Sequence, residues 1–167
     1  QLKSEPSNKD GWATNGMDTR GSATRNLVKT LHLVPEELNA HNLKLKAKYD
    51  RMIREEIRWE TYNLDGDYRV LIVSYGTMSR VCRTVIDNFK AKGIDIGMVR
   101  PKTLFPFPKQ AIYDAAAKAS CRAAISVEMS MGQMVEDVQA AVGHEVHVDF
   151  FGRTGGIVPS PDEVTKA

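Results

Sequence analysis

From Arg69 onward, short uninterrupted apolar runs alternate with amphipathic stretches, and this alternation restricts the possible folds more than any other feature of the chain. Val70 to Val73 carries no polar residue, the pattern of a strand covered on both faces. Gly76 and Thr77 turn the chain into a stretch whose Met78, Val81, Val85, Ile86 and Phe89 share one helical face, and Gly93 ends it. The unit then recurs. Ile94 to Val99 is the next strand, Pro108 to about Ala119 a helix, Ala123 to Val127 a strand, Gln133 to Val142 a helix and Val146 to Phe150 a strand. Ser160, Pro161, Asp162 and Glu163 open a last helix with a capping box and a proline at its first position. Parallel strands joined by right-handed crossovers place helices on both sides of their sheet. The predicted class is therefore α/β, a three-layer sandwich with a mostly parallel open sheet.

Ahead of this core, residues 1–34 have little hydrophobic periodicity and many turn formers, among them Pro6, Asn8, Gly11, Asn15, Gly16 and Gly21. Such a stretch orders itself only by lying on something else, so it reads as a connector. Residues 35–167 then form the domain. Pro35 suits a first helical position, Glu36 and Glu37 suit the positive end of the helix dipole, and Leu45, Tyr49, Met52, Ile53 and Ile57 recur at helical spacing. Carried on to about Tyr62, this helix is expected to be ~40 Å long, more than one domain needs for cover.

Composition narrows the function classes. A chain of 167 residues supports one core. The 23 basic and 21 acidic side chains, formal charge +2, give no excess for nucleic acid or an anionic membrane. No apolar run approaches the ~18 residues of a membrane span. Gln1 shows neither an initiator methionine nor a signal pattern, so a cytoplasmic protein cut from a longer one is expected. Cys82 and Cys121 are isolated thiols, expected as small core or near-surface residues, and cannot supply the thiolates of an iron-sulfur cluster. Without a His pair at i, i+4, a Cys-x-x-Cys or a carboxylate-rich loop, no metal site is predicted.

Four motifs remain. Ser74 to Arg80 lies where a strand becomes a helix; Thr77 as N-cap accounts for it better than a phosphate cradle, since one glycine is far from Gly-x-Gly-x-x-Gly. Glu128 ends a buried strand on the side where α/β proteins hold ligands, yet no histidine adjoins it to make an acid-base pair. Ser130 is expected to cap the following helix with Gln133 reaching back, and Gly132 to allow close approach of another chain. In Phe151 to Gly156, Arg153 offers a fork for a neighbour's carboxylate, or as second reading for a phosphate. Phe105 and Phe107, held between prolines, suit either an interface or the cover of a sheet edge. His32, His41, His144 and His147 have no nucleophile beside them and read as surface residues.

The stretches VEMSMGQMVEDVQ (Val127 to Gln139), FGRTGG (Phe151 to Gly156) and TLFPFP (Thr103 to Pro108) resemble the alpha subunit of the 2-oxoacid:ferredoxin oxidoreductases, most like those acting on branched-chain 2-oxoacids such as 2-oxoisovalerate. The resemblance implies the non-catalytic, transketolase C-terminal-like part, with one antiparallel edge strand that the pattern does not locate. It implies a parent enzyme of anaerobic metabolism that oxidatively decarboxylates a 2-oxoacid on thiamine diphosphate and Mg²⁺. Electrons pass through iron-sulfur clusters to ferredoxin, and acyl-coenzyme A forms. Beta, gamma and ferredoxin-like delta subunits are the implied partners. The Gly-Asp-Gly diphosphate motif is absent, so no catalytic, cofactor or metal role is assigned to any residue of this chain. Trp59, Phe105, Phe107, Glu128, Gly132, Gln133 and Arg153 are instead the expected interface residues, and the resemblance makes a coenzyme A phosphate the second reading for Arg153. The alternative is a transketolase-C-like interaction domain of another thiamine enzyme, such as the E1 component of a branched-chain 2-oxoacid dehydrogenase.

Overall fold

The computed structural model describes residues 13–14 and 30–167. Most of the expected connector lies outside the described residues. The chain divides into two compact units, Gln1–Lys46 and Ala47–Ala167, and the division falls inside the first helix, α1 (Pro35–Glu55). In the first unit the His32 and His41 rings lie 4.7 Å apart.

The second unit contains β1 (Trp59–Tyr62), β2 (Val70–Ser74), α2 (Gly76–Lys90), β3 (Ile96–Pro101), α3 (Lys109–Ala116), β4 (Ala123–Glu128), α4 (Met134–Val142), β5 (His147–Gly152) and α5 (Pro161–Thr165). The five strands form one sheet in the order β1-β3-β2-β4-β5, parallel except for β1 against β3. From β2 the chain steps outward to β3, then crosses back over β2 to β4. Crossovers of one hand in opposite directions must use opposite faces. Accordingly α2 lies on one face with α5, and α3 and α4 cover the other.

Each face has its own apolar layer. Leu71, Val73, Val99 and Ala124 meet Ile112, Ala115 and Val138 below α3 and α4, while Ile72, Met98 and Val127 meet Met78, Cys82 and Ile86 below α2. Leu71, Val73, Ile86, Ile112 and Val138 are shut off from solvent, which stabilises each by about 1.5–3 kcal/mol relative to exposure. Gly97 has no room for a side chain, because an added Cβ would stand 2.8 Å from Leu64 and 2.9 Å from Tyr68.

Three local expectations need correction. The first helix ends at Glu55, ~32 Å from its start at helical rise, and Trp59–Tyr62 is the antiparallel edge strand. Two aromatics around a β-branched threonine favour that pairing over one more helical turn. Thr77 is not an N-cap: α2 begins at Gly76, Tyr75 flanks it, and no side chain caps it. Ser130 does not cap α4 either, for a reason given below. The capping box of α5 forms as expected, with Ser160 and Glu163 bonded reciprocally.

Candidate functional site

Because β3 and β4 leave β2 in opposite directions, the sheet has a switch point between the ends of β2 and β4, the usual ligand seat of an open α/β fold. Here the seat is closed from within. Ser74 Oγ donates to the Val127 carbonyl at 2.8 Å, joining the two strand ends. Glu128, at the end of β4, is fully buried. Its Oε2 accepts from the backbone N–H groups of Gln133 (3.2 Å) and Met134 (2.9 Å) and from the Ser130 hydroxyl. Its Oε1 accepts from Val135 N–H (3.1 Å) and Ser126 Oγ (3.1 Å).

The first N–H groups of a helix lack intrahelical partners, and the dipole favours negative charge there. Glu128 meets both needs of α4, so Ser130 turns its hydroxyl to the carboxylate rather than to the helix. Gln133 acts through its backbone N–H and occupies the N-cap position without a side-chain bond. Gly132, at φ +98, permits the turn between them and packs near Val135 and Phe150. Five donors leave the carboxylate no open lone pair and no path to solvent. An acid-base role needs both; a fastening role needs neither.

Arg153 follows β5. Its backbone N–H donates to the Glu128 carbonyl at 3.3 Å, and its guanidinium pairs with Glu163 of the α5 capping box. The expected carboxylate is thus one of this chain's own. Backbone and side-chain bonds from Ser160 hold the Glu163 carboxyl below its ordinary range, against partial desolvation, and Arg153 adds to the effect.

At the opposite edge, Thr103 accepts from Arg58 N–H (3.1 Å) and donates to the Pro106 carbonyl (2.8 Å), pinning the turn that holds the cis Phe105–Pro106 bond. Phe105 stays 57% exposed, touching Tyr49 edge-on at 5.6 Å between centroids, whereas Phe107 joins the core under α3. The paired aromatics therefore separate into one surface residue and one core residue. Trp59, 46% exposed, lies on β1 beside a groove of about 740 Å³ that runs to Tyr68, Asp114 and Lys118. Lys118 Nζ is held by the carbonyls of Leu64 (3.1 Å) and Gly66 (2.6 Å), 4.9 Å from the Tyr68 ring centroid.

Sequence reasoning missed Glu60, which accepts from Arg83 (3.1 Å), Arg100 (3.0 Å) and Lys102 (2.5 Å). The Lys102 hydrogen bond is the main cause holding its carboxyl below the ordinary range; desolvation opposes it, and the charges of Lys102 and Arg100 assist. Read as part of a helix, Glu60 could not be placed opposite Arg100; recognising the strand would have found it. Cys82 is buried, and desolvation pushes its thiol up to about 11. Cys121 is buried as well. Among the described residues no group of three or more His, Cys, Asp or Glu side chains could hold a metal ion, and no helix is long and apolar enough to cross a membrane.

A family model, pyruvate:ferredoxin oxidoreductase core domain II, matches residues 69–164, the stretch from the start of β2 into α5. The chain belongs to this family. It is 43% identical over 132 residues to the ketoisovalerate oxidoreductase subunit VorB of Methanothermobacter thermautotrophicus, which covers 79% of this chain and 36% of that protein. The VorB of Methanothermobacter marburgensis is 41% identical with the same coverage. The 2-oxoglutarate synthase subunit KorA of Methanocaldococcus jannaschii is 31% identical over 113 residues, 68% of this chain and 29% of that one. The chain thus spans about a third of the length of these curated relatives. Among solved structures, a 2-oxoglutarate:ferredoxin oxidoreductase from Magnetococcus marinus, bound to 2-oxoglutarate, coenzyme A and succinyl-CoA, superposes with TM-score 0.65 at 21% identity over 91% of this chain and 27% of its own. An inactive tetramer of a split-gene transketolase matches at TM-score 0.52 and 18% identity, over 64% of this chain and 39% of its own. Both likenesses concern the fold, and they agree with the expected transketolase-like sandwich. The E1-type alternative is not favoured, since the family model and the relatives are of the ferredoxin oxidoreductase class.

Proposed function

We propose that this domain II serves the alpha subunit of a 2-oxoisovalerate:ferredoxin oxidoreductase as an assembly element, holding its neighbours without touching the reacting atoms. The observation that carries the reading is Glu128: the carboxylate that ends β4 at the switch point is buried and fully used on its own chain. The higher identity to VorB than to KorA supports a branched-chain 2-oxoacid as substrate. In this reading thiamine diphosphate, Mg²⁺, the iron-sulfur clusters and coenzyme A are held by other parts of the complex. The residues described here do not offer the donor set for a metal or cluster. Beta, gamma and ferredoxin-like delta subunits are the partners, ferredoxin takes the electrons of the cytoplasmic complex, and the setting is anaerobic metabolism.

Trp59 and Phe105 are the contact residues, with Arg153 at the other end of the sheet. Phe107, Glu128, Gly132 and Gln133 hold those surfaces in shape. The test is reconstitution of the full complex with wild-type or altered alpha subunit, scored separately for assembly and for viologen-dye reduction with 2-oxoisovalerate and coenzyme A. Phe105→Ser and Trp59→Ser are expected to reduce the assembled fraction while turnover per assembled complex stays within about twofold. Unchanged assembly in both variants, or dye reduction by the isolated chain supplied with thiamine diphosphate and Mg²⁺, would sink the reading.

A further inference from the structure

The two edges of the sheet differ in how they meet solvent. β1 is four residues long and carries Glu60, paired with Arg100 of the neighbouring strand and Lys102 just beyond it, the charged short edge that discourages strand addition. β5 is six residues long, pairs with β4 in parallel along its whole length, and has no other strand partner among the described residues. In a parallel ladder, alternate residues direct both backbone groups to one neighbour. The Arg153 N–H reaches inward to Glu128, so 147, 149 and 151 also face β4, and Val148, Phe150 and Gly152 present N–H and C=O outward.

The side chains along this edge are complementary to themselves. Val148 packs with Val146 on the α4 face, and Phe150, on the same side, is 41% exposed. His147 and Asp149 lie on the other face, hydrogen-bonded to each other at 3.1 Å and largely exposed. An antiparallel twofold centred on Val148 sets Val148 opposite Val148 and Phe150 opposite Val146 on one face. On the other, it sets His147 opposite Asp149 of the second copy, twice, in an alternating quartet of donors and acceptors. Hydrogen-bonded and apolar cross-strand pairs both favour this register. A slide of two residues in either direction moves the centre to His147 or Asp149, sets that residue opposite its own copy, and loses both His–Asp pairs.

We propose that β5 is a self-association edge, pairing with β5 of a second copy about Val148 so that two sheets continue as one. A single strand pair buries little area, so the association is weak and concentration-dependent. The test is sedimentation equilibrium of the 167-residue chain up to roughly 1 mM, with hydrogen exchange on the same samples. The expected results are a mass rising toward twice 18.6 kDa and amide protection at Val148 and Phe150 that grows with concentration. Asp149→Lys removes the acceptor that faces His147 of the second copy and puts a second donor there, and should raise the dissociation constant by about tenfold or more. The swap His147→Asp with Asp149→Lys should restore it. A chain that stays monomeric over the whole range overturns the proposal. So does a dimer whose Val148 and Phe150 amides exchange freely, or one indifferent to Asp149→Lys. None of these outcomes bears on the assembly reading tested at Trp59 and Phe105, which lie at the opposite edge of the sheet.

Discussion

The Glu128 carboxylate and the Met134 N–H, six residues apart in sequence, meet at 2.9 Å inside the protein and tie the end of β4 to the start of α4. Glu128→Gln keeps the shape but replaces one accepting oxygen with an NH₂ group that faces backbone donors. The expected loss is about 3 kcal/mol, the cost of a buried group left with donors and no acceptor. Urea unfolding of the variant measures it; a loss below about 0.5 kcal/mol would mean that the contact is dispensable.

Gly152→Ala is expected to destabilise the chain by about 2 kcal/mol or more, because this site cannot relax. An added Cβ would stand 2.3 Å from the Ser130 carbonyl oxygen, which is backbone, and 2.3 Å from the Phe150 ring. Thermal unfolding reads the cost, and near-ultraviolet circular dichroism should report the displaced Phe150.

Cys82 should resist alkylation by iodoacetamide at pH 8 in the folded protein and react on unfolding. Burial holds the thiol up to about 11, so almost no thiolate exists at that pH. A thiol whose pKa is raised on folding favours the folded state below its unfolded pKa, and that contribution is lost as pH rises toward 11. Mass spectrometry of the labelled chain decides; labelling of native Cys82 at the rate of a free thiol would contradict the packing of α2.

Glu60 gives a dependence of opposite sense. Its folded pKa is lowered, so the unfolded chain binds the proton more readily, and the contribution of Glu60 is present above the ordinary carboxylate range and fades as pH falls through the folded value. Glu60→Gln should therefore narrow its stability gap to wild type as the buffer is taken from pH 6 to about 3. The gap should also shrink in high salt, since the cluster is partly exposed to solvent. Equal destabilisation at both pH values would assign Glu60 a packing role instead.

The parallel strands were legible because burial on both faces leaves a continuous apolar signature, as in Val70 to Val73 and Ala123 to Val127. The capping box at Ser160 was legible because it is a local pattern. Trp59–Tyr62 was not: four residues next to a helix carry no period of their own, and only the partner strand decides their state. The role of Glu128 was half-legible. A strand-end carboxylate invites attention, but its bonds reach five to seven residues downstream, beyond the span of a standard cap. Phe105 and Phe107 looked alike in sequence because the turn that sends one outward and the other inward depends on Thr103 and its bond to Arg58.

The closed switch point bears on how such a domain can be reused. Where other α/β proteins keep a vacancy for a phosphate or a carboxylate from outside, this chain has installed a tenant from its own sequence, with five donors already committed to it. Turning the domain into a receptor is therefore an eviction before it is an addition. Shortening Glu128 would open an anion-shaped chamber lined by Ser126, Ser130 and the leading amides of α4, and only then could a small acid be asked to lodge there.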